Sequence, residues 1–130
     1  MTDQVITMAH GAGGKASQAL TDAVFLSAYG GPELGRLDDG AVLDIPGGKR
    51  VVFTTDAFVV TPRAFSGGSI GDLAVNGTVN DLAVMGATPT WLSVSVVLEE
   101  GFALIELREI VADIAAAATA ANVTIVAGDT

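Results

Sequence analysis

The sequence predicts an α+β fold, a mixed β-sheet with helices on one face, and three observations carry that expectation. Short runs of strand character alternate with stretches of helical periodicity in the order β-α-β-β-α-β-α-β. The chain has 130 residues and is 50% apolar, which suits one core in one domain spanning residues 1–130. Turn chemistry, notably Gly47-Gly48, Gly86 and Asn122, falls between the periodic runs.

Taken in order, residues 4–8, "QVITM", read as a short strand. "HGAGGKAS" (His10–Ser17) is a glycine-rich turn that opens a helix over Lys15–Ala28, with Leu20, Ala23 and Val24 as its apolar stripe. "YGGPELGRL" is a loop. Ala41–Ile45 and Arg50–Thr55 are strands, and Gly47-Gly48 between them is a two-residue hairpin signal. "TPRAFSGGS" is a second loop that ends at Ser69, an N-cap with Asp72 in the capping-box position. The helix that follows runs from Ile70 to about Met85 and stops at Gly86.

Thr90–Leu98 is the next strand. Leu92, Val94, Val96 and Leu98 form its apolar face, while Ser93 and Ser95 leave a small second face open to a second subunit. Trp91 and Phe58 are expected in a core or an interface. Leu104–Ala121 is an amphipathic helix: Leu104, Leu107, Ile110, Val111, Ile114 and Ala118 share a face, with Glu106, Glu109 and Asp113 opposite. Asn122 is a left-handed stop. A last strand, Val123–Ala127, runs into Gly128-Asp129-Thr130. A strand ending in this way is expected to continue, so the 130 residues are expected to be the N-terminal part of something longer.

Composition excludes several function classes. The net charge is −9, and Lys15, Arg36, Lys49, Arg50, Arg63 and Arg108 are the only basic residues, so no basic face exists for nucleic acid. An anionic ligand would have to bind through metal ions and helix N-termini. There is no cysteine, hence no disulfide and no thiolate metal site. No apolar run approaches the ~20 residues that span a bilayer. The opening residues show neither a basic nor an apolar leader pattern, and a cytoplasmic location is the expectation.

The carboxylates carry the chemistry. With Gly47 and Gly48 as a two-residue loop, Pro46 pairs with Lys49 and Asp39 falls directly opposite Asp56. At ~5 Å and an effective dielectric of ~20, that repulsion is about 3 kcal/mol. On this pair alone two readings stand. The acids splay into solvent at a sheet edge, or a cation such as Mg²⁺ sits between them.

Other acids bear on the choice. Asp129 follows an apolar strand, where α/β sites often gather. Asp81 lies in a helix that is apolar almost all round, so it should be buried and in need of a partner. The chain has too few lysines and arginines to neutralise so many acids, and metal ligation is the reading for Asp81. Asp72, Asn76 and Asn80 form one polar stripe, and Asp72 serves the helix dipole.

The glycine loop offers backbone N–H groups at Gly11, Gly13 and Gly14, with Lys15 at a helix N-terminus. That equipment suits a phosphate, although Walker A spacing is absent. His10, the one histidine, is either an acid/base group or a bystander. No residue is singled out as catalytic.

"ITMAHGAGGKASQAL", "DDGAVL", "FTTDAFVVTP", "GGSIGDLAVNGTVNDLAVMGATPTWLSVSVVLEEGF" and "VAGDT" closely resemble the hydrogenase maturation factor HypE family. They fall in its PurM-like (AIR synthase-related) N-terminal domain. "GTVNDLAVMGA" with "SVVLEEG" is specific to that family. "DDGAV", "TTD" and "GDT" are shared with thiamine monophosphate kinase and selenophosphate synthetase relatives.

The resemblance implies an ATP- and Mg²⁺-dependent carbamoyl dehydratase that converts a carbamoylated C-terminal cysteine to a thiocyanate for the cyanide ligands of [NiFe] hydrogenase. It implies a homodimer whose sheets pair into a barrel, with the carbamoyltransferase HypF and a HypC–HypD scaffold as partners. Carried over, Asp39, Asp56, Asp81 and Asp129 resemble the Mg²⁺–ATP ligands. The loop from His10 to Lys15 resembles the segment covering the phosphates, and Asn80 helps hold the nucleotide.

The family's acceptor cysteine, its second ATP-site-completing domain and a lysine after "GDT" fall outside these residues, so the chain alone is expected to be inactive. Two alternatives are another PurM-like ATP-dependent enzyme, kinase- or synthetase-like, and a non-catalytic dimerisation or docking domain.

Overall fold

A computed structural model describes residues 5–130. Its elements confirm an α+β arrangement. Helical turns α1 (Met8–Gly11) and α2 (Lys15–Leu20) lead through a π-helical stretch (Thr21–Leu26) into α3 (Ser27–Tyr29). Strands β1 (Ala41–Ile45) and β2 (Lys49–Phe53) form a hairpin, as do β3 (Ala64–Phe65) and β4 (Gly68–Ser69). Helix α4 (Ile70–Val84), strand β5 (Trp91–Ser95), helix α5 (Leu104–Ala120) and strand β6 (Thr124–Asp129) complete the chain. Among the described residues no helix is long and apolar enough to cross a membrane.

Local signals set the two long helices. The Ser69 hydroxyl accepts from the backbone N–H groups of Gly71 and Asp72, and Asp72 Oδ2 accepts from Ser69 N at 2.8 Å, the expected capping box. Both helices end alike. Gly86 N donates to Ala83 O and Ala87 N to Leu82 O at the end of α4. Asn122 N donates to Thr119 O and Val123 N to Ala118 O at the end of α5. Asn122 takes the expected left-handed conformation, with φ 55°.

The core forms where these helices meet β5 and Val123, the residue before β6. Val75 of α4, 1% exposed, joins Leu92, Ile114, Ala117, Ala118 and Val123. Parallel β5 and β6, connected through α5, make a β-α-β unit, with a register shift between Leu92 and Ser93. Leu92 is buried, Val94 and Val96 are half-buried, and Leu98 is exposed. On α5 the buried face centres on Ile114, Ala117 and Ala118. Leu104 and Val111, expected on that face, are exposed; α4 comes closest to α5 at Gly71, against Ile110, Asp113 and Ile114, and the buried face is centred there and on the alanines beyond.

Three expectations are corrected. The strand expected over residues 4–8 begins outside the described residues, and from Val5 to Met8 no strand forms. Met8 instead opens α1, where Thr7 N donates to His10 Nδ1 at 3.0 Å and fixes a turn. The single mixed sheet is three separate pairs, β1-β2, β3-β4 and β5-β6. Val52 and Phe53 of β2 and Trp91, Leu92 and Ser93 of β5 line one 130 Å³ cleft with Thr78 and Leu82 of α4, without pairing to each other. Finally, the β1-β2 register pairs Ile45 with Lys49, so the loop is Pro46-Gly47-Gly48 rather than two residues. Proline has no N–H to give to a rung, and Gly47 and Gly48 complete the turn with φ of 93° and 73°.

Candidate functional site

The corrected register changes how the acids meet. Extended past its last rung, Ala41 to Phe53, it sets Asp39 across from Thr55, not from Asp56. The facing pair of acids is therefore not a rung of the hairpin. Their meeting point is helix α4.

Two close contacts bring both chain ends of the hairpin onto that helix. Gly40 lies against Val52 and Met85, so Asp39 is carried to the C-terminal end of α4. Gly77 in mid-helix lets the Phe58 ring lie on the helix backbone; a Cβ there would stand 2.6 Å from the ring. Phe58 is half-buried and anchors the segment leaving β2, which holds Asp56 over the same helix. Asp81 lies one turn beyond Gly77.

Electrostatics record the convergence. Burial first, then the charges of Asp56 and Asp39, push the Asp81 carboxyl up from its ordinary value. A hydrogen bond with the Thr54 side chain pulls the other way. Asp81 is half-buried, and among the described residues no lysine or arginine pairs with Asp39, Asp56 or Asp81. Asp56, Thr54 and Thr55 line the cleft between β2 and β5.

The remaining candidates lie elsewhere. Asp129 ends β6, where its carbonyl accepts from Val96 N at 2.9 Å, and it lines an apolar groove with Val94, Val111 and Ile125. It is not among the charges that act on Asp81. Asn80 is exposed beside Asp81 on α4. Gly11, Gly13, Gly14 and Lys15 are exposed, and no atom lies within 4 Å of where a Cβ would stand on any of the three glycines. Ser17 steadies their loop, accepting from Gly13 N and donating to His10 O at 2.7 Å. His10 is buried and holds the turn through Thr7. Trp91 is 68% exposed, on a surface rather than in the core.

The donor chemistry fits a hard divalent cation: the charges of Asp39 and Asp56 act on Asp81, and among the described residues no lysine or arginine relieves them. Among the described residues no three acids or histidines close to ligating distance on their own. Mg²⁺ commonly keeps waters and phosphate oxygens in its shell, so a site here would need those ligands to complete it. Thr54 escaped the sequence reading. Its signal is position: a hydroxyl one place beyond the last rung, in "FTTD". Gly77 also had a signal, as an isolated glycine inside a helical pattern.

A half-apolar α+β chain whose acids meet over one helix defines a recognisable class. Residues 37–130 match the AIR synthase related protein, N-terminal domain family, and the chain belongs to that family. Its particular relatives are more specific. It is 50% identical over 133 residues to the carbamoyl dehydratase HypE of Rhodobacter capsulatus, covering 100% of this chain and 38% of that protein. It is 44% identical over 129 residues to the carbamoyl dehydratase HypE of Escherichia coli strain K12, covering 96% and 38%.

Among solved structures, it resembles HypE in a HypE–HypF complex with a TM-score of 0.77 and 44% identity, over 86% of this chain and 35% of that one. It also resembles hydrogenase maturation protein HypE in complex with ATP, with a TM-score of 0.59 and 43% identity, over 97% and 37%. The chain spans a little over a third of the length of the curated relatives it matches.

Proposed function

We propose that this chain is the Mg²⁺–ATP-binding, dimer-forming N-terminal part of a HypE-type carbamoyl dehydratase, which converts an S-carbamoyl cysteine to a thiocyanate during hydrogenase maturation. The carrying observation is the convergence of Asp39 and Asp56 on a half-buried Asp81 that has no cationic partner among the described residues. Relatives of 44–50% identity that bear the dehydratase name, and a similar HypE solved with ATP, support the reading.

The bound nucleotide would supply the phosphoryl group that turns a carbamoyl oxygen into a leaving group. The chain's own residues arrange it. Asp39, Asp56 and Asp81 hold the metal; Asp129 lines a separate groove of this chain, so its place as a fourth ligand rests on the family resemblance alone. Gly11, Gly13 and Gly14 present backbone N–H groups to phosphate, Lys15 adds a positive charge, and Asn80 contacts the nucleotide. The acceptor thiol is not on these 130 residues, which contain no cysteine.

Dimerisation through the strands into a barrel is supported by exposed apolar side chains along them, including Phe53 at 66% and Trp91 at 68%. A similar HypE solved with HypF makes that carbamoyltransferase a partner in this reading, with the HypC–HypD scaffold downstream and a cytoplasmic setting.

Calorimetry of the full-length protein with ATP and Mg²⁺ tests the site. Asp81→Asn should weaken Mg²⁺-dependent ATP binding by about tenfold or more. Unchanged binding in Asp81→Asn and Asp56→Asn alike would overturn the assignment.

A further inference from the structure

The β1-β2 ladder stops at Ala41 and Phe53, and Asp39 and Asp56 lie beyond that point. Main-chain pairing therefore does not fix how far apart Asp39 and Asp56 stand, and their repulsion favours separation. One side chain takes over where the rungs end. The Thr54 hydroxyl donates to the Asp39 carbonyl at 2.7 Å, across 15 positions of sequence. Thr54 also lines the cleft that contains Asp56.

We propose that Thr54 is a positioning residue whose hydroxyl closes the open end of the hairpin and holds the Asp39 and Asp56 strands at the spacing that metal binding requires. The inference rests on the nucleotide-site reading above and adds to it a residue that does not itself need to touch the ion. A hydroxyl is well suited to the task. It adds no charge to a site already crowded with negative charge, and it links the Asp39 carbonyl at the mouth of the hairpin to the side chain of Asp81 on α4, with which it also hydrogen-bonds. Valine has nearly the shape of threonine without the hydroxyl, so Thr54→Val removes both contacts and keeps the volume. Thr54→Ser keeps them and gives up a methyl group.

The experiment is calorimetric titration of ATP into the full-length protein across a range of Mg²⁺ concentrations, for wild type, Thr54→Val, Thr54→Ser and Asp81→Asn. Thr54→Val should need about tenfold more Mg²⁺ for half-maximal binding, as loss of an outer-shell partner does elsewhere, with affinity recovered at saturating Mg²⁺. Thr54→Ser should stay near wild type.

A wild-type Mg²⁺ dependence in Thr54→Val overturns the proposal, and so does an equal shift in Thr54→Ser, which would trace the effect to packing. The Asp81→Asn arm separates the two levels. If it too is unchanged, the site reading fails; if it is weakened while Thr54→Val is not, only the role of Thr54 fails. Should Thr54→Val melt below the assay temperature, Thr54→Ala is compared with Thr54→Ser by the same criterion.

Discussion

The two ends of this chain are built to different standards. From Ser69 onward, both long helices have defined starts or stops, and α4, α5, β5 and Val123 share a buried cluster around Val75. From Met8 to Tyr29, the helical turns bury His10 alone and leave Val24, Phe25 and Tyr29 exposed. The contrast teaches where rigidity is needed. The helix that carries Asp81 belongs to the packed half, whereas the glycine loop assigned to phosphate belongs to the open half. A scaffold that fixes acids and a loop whose glycines stand open to solvent is the division expected of a site that must admit its ligand.

The largest test of the contrast is a core truncation. Leu92→Ala should cost about 2–5 kcal/mol in denaturant unfolding, while Phe25→Ala, on the exposed side, should cost well under half of that. Equal losses would erase the distinction between the two halves. Next comes Gly77→Ala, whose methyl must displace the Phe58 ring. We expect a loss of about 1–3 kcal/mol, accompanied by weaker Mg²⁺-dependent ATP binding as Asp56 loses its anchor; a stability loss with binding intact would detach Phe58 from the site.

Ser69→Ala removes the cap of α4 and should cost about 1 kcal/mol, read as a lowered melting temperature. Asp81→Asn should act in the other direction. The folded chain holds the Asp81 proton more tightly than the unfolded chain does, because the carboxyl is raised. The resulting stability is present below the ordinary carboxylate value and is lost as pH rises through the raised one. Without metal, Asp81→Asn should therefore raise the melting temperature at neutral pH, and the gain should fade as pH falls toward about 4. A lower melting temperature at pH 7 would contradict the crowding of acids.

What the sequence made legible was local. Ser69 with Asp72, Gly86 and Asn122 each specify a helix end through bonds within a few residues, and each was readable. The hairpin itself was readable too, but its register turned on one residue. Pro46 lies in the loop because it lacks a donor, and a one-place slip moved Asp39 away from facing Asp56. The convergence at Asp81 survived that slip because it depends on Gly40 and Phe58 meeting α4, contacts between distant segments that no periodicity encodes. Periodicity likewise ranked Leu104 and Val111 with Ile114, since it counts apolar residues and cannot see that α4 meets α5 closely only where Gly71 faces Ile110 and Ile114.

The three strand pairs have one more consequence. Each leaves a row of main-chain donors and acceptors unspent along its outer border. Such borders recruit extended polypeptide indiscriminately, so the free chain should self-associate in a concentration-dependent way unless another strand occupies them. A short peptide copying Lys49–Phe53 should compete for those borders and lower the light scattering of a concentrated solution.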